Sequence, residues 1–64
     1  LSNVIFEAMR ASRHDTRDAI AIMHPDNQFK VIFLPRSHVI ACSKVSPNRH
    51  LIEVPDFIAK EHDL

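Results

Sequence analysis

Two apolar runs separated by Pro25-Asp26-Asn27 constrain this chain more than any other feature. Ala19–His24 and Gln28–Leu34 are apolar and partly β-branched or aromatic. The three residues between them supply a preset φ, a side chain that caps the backbone and a residue that tolerates the left-handed region. That combination predicts a β-hairpin over 18–34, DAIAIMHPDNQFKVIFL. A competing reading has Asp15-Thr16-Arg17-Asp18 capping a helix through Ala19–Met23, whose apolar positions fit a period of 3.6 as well as a period of 2. The turn running directly into Phe29-Lys30-Val31-Ile32-Phe33 favours the hairpin.

The chain contains no glycine. This excludes the P-loop and the dinucleotide fingerprint, both of which need a backbone approach to phosphate that a Cβ blocks. Turns must use other chemistry, and Pro25, Pro35, Pro47 and Pro55 each stand at the end of an apolar run, as in a fold of short strands. Leu1, Val4, Ile5, Ala8 and Met9 recur at helical spacing behind Ser2, which predicts a helix over about 2–12, with 12–18 as a polar link. After the hairpin come a turn at Pro35-Arg36-Ser37, a strand over His38–Val45, a turn at 46–49, a strand over His50–Val54 and a short helix over 57–62 opened by Pro55-Asp56. The expected class is α+β, in the order α-β-β-β-β-α. It is a four-stranded antiparallel meander with the N-terminal helix on one face and a short C-terminal helix.

Pairing those strands sorts the residues into two faces. Met23 would oppose Phe29, Ala21 would oppose Val31 and Ala19 would oppose Phe33. Ala19, Ala21, Met23, Phe29, Val31, Phe33, Val39, Ala41, Val45, Ile52 and Val54 then form an apolar face for the N-terminal helix to cover. The other face mixes Ile20, Ile22, Ile32, Ile40 and Leu51 with Lys30, Lys44, Glu53, His24, Gln28 and His38. Five large aliphatics are more than a solvated sheet face usually carries.

Sixty-four residues make one small domain, 1–64, and a chain this short buries only about 60% of its unfolded surface, so a lone monomer is marginally stable. Beginning at Leu1 without an initiator Met, it also fits a chain processed, trimmed or excerpted from a longer one. Cys42 is the single cysteine, which rules out an internal disulfide and fits a reducing, cytoplasmic setting. Oligomerisation is the remaining source of stability, and the expectation is a homodimer through Ile20, Ile22, Ile32, Ile40 and Leu51. No apolar run approaches the ~18 residues of a membrane span, and the first residues do not have the pattern of a signal peptide.

The formal charge is zero, yet residues 28–52 hold Lys30, Arg36, Lys44 and Arg49 and no carboxylate. Surface charge of this kind is ordinary for a soluble domain. The four cations are also candidate phosphate contacts for a nucleic-acid-binding dimer, with Arg36 and Arg49 on the turns. The absence of Tyr and Trp argues against base stacking.

Five histidines and Cys42 raise the thought of zinc, but His38 and Cys42 on one strand stand roughly 13 Å apart, and no three ligands converge in the meander. Cys42 would have Lys30 and Glu53 rather than a histidine beside it, and Ser12, His14 and Asp15 are sequence neighbours on a linker, not a held triad. No metal, no cofactor and no catalytic residue is expected. The chain reads as a small non-enzymatic binding or regulatory module acting through protein-protein association, with nucleic-acid binding second and a fragment or subunit of a larger enzyme third.

Overall fold

Residues 2–64 are described by the computed structural model, and they form five strands. In chain order these are β1 (Asn3–Ala8), a 3-10 turn (Ser12–His14), β2 (Ala19–His24), β3 (Asn27–Pro35), a second 3-10 turn (Arg36–His38), β4 (Ala41–Ser46), β5 (Arg49–Pro55) and α1 (Asp56–Glu61). The expected four-stranded meander under an N-terminal helix is therefore corrected. The first element is a strand, and the strands divide into a three-stranded sheet, β1-β5-β4, and a hairpin, β2-β3, all pairs antiparallel. Leu1, the first residue of the expected helical stripe, lies outside the described residues.

The N-terminal segment is short and satisfies two periods at once. Val4, Phe6 and Ala8 alternate with Ile5 and Glu7, and β-branched and aromatic residues suit a pleated strand. Partners decide between the periods. β1 pairs residue for residue with β5 from Asn3↔Pro55 to Ala8↔His50, a strand far along the chain that no local pattern announces.

Beyond Ala8 the chain turns the corner between the two sheets. Met23 N–H donates to the Met9 carbonyl at 2.8 Å and Ala11 N–H donates to the Ala21 carbonyl at 2.9 Å, on either side of an Arg10↔Ile22 bridge. The hairpin is thereby fastened to β1.

The hairpin stands where the sequence places it, but its turn is tighter and the opposite face is buried. His24↔Asn27 closes a two-residue loop, so Met23 opposes Val31, Ala21 opposes Phe33 and Ala19 opposes Pro35. The slip is two residues, which preserves each side chain's face. The supposed mixed face provides the core, with Ile20, Ile22, Ile32 and Leu34 all buried. Phe29 and Phe33, expected inside, are 89% and 47% exposed. No N-terminal helix among the described residues covers Phe29 and Phe33, while the segment 11–16 lies against Ala21.

In the other sheet Ala8, Ile52 and Val54 face the hairpin and are buried, with Val4 and Phe6 packed against them. Ala41 and Val45, also expected in the core, are exposed, as is the whole of β4. α1 closes one end of the core with Ile58 and Ala59. Its stop is a Schellman motif: Leu64 N–H donates to the Ala59 carbonyl at 2.8 Å, Asp63 N–H donates to the Lys60 carbonyl at 3.3 Å, and Asp63 takes φ 58° where most helices use glycine. The motif returns Leu64 to the core.

Candidate anion-binding cleft

Cys42 and Lys44 sit on the inner face of β4, opposite Ile52 and His50 of β5. Both residues are exposed, so these two inward positions border open space rather than packed core. The result is a cleft of about 460 Å³ between the sheets, with Ile20, Val39 and Ile40 as its apolar lining.

Four basic side chains converge there: Arg10 from the corner after β1, Arg36 from the turn after β3, Lys44 from β4 and His50 from β5. The cleft lining contains no carboxylate. Asp15 stands behind it and orders two of the cations. Its Oδ2 pairs with the Arg10 guanidinium and lies 3.8 Å from Arg36 Nη2, while Oδ1 accepts the Ala21 N–H at 2.7 Å. Arg36 is held from a second side by donating from Nε and Nη2 to the Thr16 carbonyl at 3.3 and 3.2 Å. One carboxylate against three permanent cations leaves the local charge positive.

In two of the lining residues a polar atom is shielded from solvent and has no hydrogen-bond partner among the described residues, Arg10 Nε and His50 Nδ1. Cys42 Sγ lies 3.9 Å from Arg10 Nη1, and its thiol is free and exposed. The arrangement can hold an anion through charge-assisted hydrogen bonds from planar guanidinium groups.

Of the four cations expected to contact nucleic acid, Arg36 and Lys44 meet in this cleft, whereas Lys30 is exposed on β3 and Arg49 lies 3.9 Å from Glu7. Of the five residues expected at an interface, Ile20, Ile22 and Ile32 lie in the chain's own core, and Ile40 and Leu51 are 52% and 41% exposed. Arg10 and His50 were missed as cleft residues. Neither carries a local signal in the sequence: the corner after β1 and the position of His50 on β5 bring them there.

Among the described residues no three of His, Cys, Asp and Glu group closely enough to hold a metal ion. The histidines are dispersed: His24 is buried beneath the C-terminus, His38 meets the Phe57 ring edge-on at 5.3 Å, and His50 lines the cleft. Asp15, from the Ser12-His14-Asp15 set, directs its carboxylate to Arg10 and Ala21. No helix among the described residues is long and apolar enough to cross a membrane. Comparison with known proteins finds no family model, no curated protein and no solved structure that matches this chain.

Proposed function

We propose that this chain is a small non-enzymatic binding module that associates with another protein by taking an anionic group of that partner into the cleft. The convergence of Arg10, Arg36, Lys44 and His50 on one recess carries the reading. A carboxylate entering between them would meet guanidinium and ammonium donors. The site is compact. Nucleic acid, the other candidate partner, is served best by a track of cations along its backbone, and here Arg49 is engaged with Glu7 and Lys30 stands apart on the hairpin. A reducing, cytoplasmic setting fits the reading, because it keeps Cys42 a free thiol beside Arg10.

The test is a titration of the isotope-labelled protein with glutarate, a dicarboxylate mimic of an acidic side chain, followed by amide and side-chain NMR. Shifts concentrated at Arg10, Arg36, Lys44 and His50, reduced in Lys44→Ala, are the expected result. Shifts absent at millimolar glutarate, or unchanged by Lys44→Ala, would remove the cleft as the binding site.

A further inference from the structure

β4 is an edge strand: β5 pairs with one side of it, and among the described residues no strand pairs with the other. All six of its residues, Ala41–Ser46, are exposed. In an antiparallel pair, alternate residues direct their N–H and C=O groups away from the neighbour, so β4 presents a row of unpaired backbone donors and acceptors. Natural edges are usually blunted by proline, by a covering loop or by repeated charge. β4 has no proline, and its one charged residue, Lys44, points to the cleft side rather than out along the edge.

The cleft opens along this same strand, because Cys42 and Lys44 belong to both. We infer that β4 receives an added strand from an acidic segment of a partner protein, and that the segment delivers a carboxylate into the cleft. The inference rests on the cleft reading and extends it to the form of the partner. A strand laid beside β4 would put every second side chain on the inner face, spaced about 6.7 Å apart, next to Cys42 and Lys44. Acidic residues at those alternate positions reach Lys44 and Arg36. Main-chain hydrogen bonds supply affinity and the alternate side chains supply selectivity, the usual division in strand addition.

Charge chooses between the occupants. A second copy of the chain pairing β4 to β4 would bring two Lys44 side chains and two cationic clefts together, and like charges across strands oppose pairing. An acidic segment meets complementary charge instead. A nucleic acid has no amide backbone to complete the edge.

The experiment uses the acetylated, amidated peptide Thr-Thr-Glu-Val-Glu-Thr-Thr, the same peptide N-methylated at alternate backbone nitrogens, glutarate, and a single-stranded oligothymidylate. Binding is read by titration, and the β4 amides are read by hydrogen exchange. The peptide should bind more tightly than glutarate and slow exchange at the β4 amides that face away from β5. N-methylation should abolish that advantage, and Lys44→Ala should weaken the peptide about fivefold, the scale of one exposed ion pair. Glutarate shifting the cleft while the peptide gains nothing and β4 exchange stays unchanged would overturn strand addition and leave the cleft reading standing. No response to glutarate or peptide would overturn both. Protection of β4 that is indifferent to Lys44→Ala would overturn the acidic chemistry of the partner. Oligothymidylate displacing the peptide would replace the protein partner with a nucleic acid.

Discussion

His24 Nε2 lies 2.9 Å from the backbone carbonyl of Asp63, and the Asp26 N–H donates to His24 Nδ1 at 3.0 Å. One buried imidazole thus ties the hairpin turn to the C-terminal end of α1, and the two bonds assign its proton. Nδ1 accepts, so Nε2 carries the hydrogen and donates. Nitrogen NMR should find neutral His24 as the Nε2–H tautomer. His24→Phe, which keeps an aromatic ring and loses both bonds, should cost about 1–3 kcal/mol in urea denaturation and free the last residues to exchange. The opposite tautomer would show that the turn and the C-terminus are not joined in this way.

Asp63 supports that carbonyl from the left-handed region at φ 58°, where a side chain with a Cβ is strained and glycine is not. Asp63→Gly should stabilise the protein by up to about 1 kcal/mol, since the acceptor for His24 is backbone and survives the substitution. A drop in the unfolding midpoint would mean that the Asp63 side chain contributes something beyond its conformation.

Which face of the hairpin is buried can be tested by paired truncations. Ile22→Ala and Leu34→Ala remove fully buried side chains and should each cost about 2–5 kcal/mol, enough to unfold much of a domain this small. Phe29→Ala at the exposed hairpin end should change stability by less than about 0.5 kcal/mol. Comparable losses at Phe29 and Ile22 would reverse the assignment of faces.

Ile32→Asp separates two roles for the same side chain. Ile32 is buried against Ile22 and Leu34 within one chain, so an aspartate there should leave no folded monomer by circular dichroism. A folded, dispersed monomer carrying that substitution would place Ile32 at a surface between subunits.

Asp15 joins three parts of the fold by pairing with Arg10, approaching Arg36 and accepting the Ala21 N–H. Asp15→Ala should cost about 1.5–3 kcal/mol, and Asp15→Asn should cost less because an amide oxygen still accepts from Ala21. A double-mutant cycle of Asp15→Ala with Arg10→Ala should show coupling of at least about 0.5 kcal/mol. Additive losses would mean that the two side chains act independently.

Local chemistry was enough to place most elements. Pro25-Asp26 and Pro47-Asn48 turn the chain, the runs between the prolines are strands, and Asp56 opens a short helix, because each depends on φ preferences and periodicity within a few residues. Within the hairpin the grouping of side chains into faces was equally local, since a two-residue slip leaves every residue on its own side; β4 departs from it, because it pairs Ala41 with Glu53 and turns Cys42 instead of Ala41 to the face of Ile52. Half of the candidate site was visible in the same way, with Arg36 and Lys44 standing in a stretch free of carboxylates.

Which face turns inward was decided by the tertiary structure. That choice depends on what else packs against the hairpin, and residues 3–8 acquired a strand's conformation only by meeting β5. Once β1 is a strand, Ile20, Ile22, Ile32 and Leu34 join Ile52 and Val54 in one core, and Phe29 and Phe33 face outward. Arg10 and His50 reach the cleft for the same reason: the corner after Ala8 and the register of β1 on β5 bring together residues whose proximity no pattern along the chain encodes.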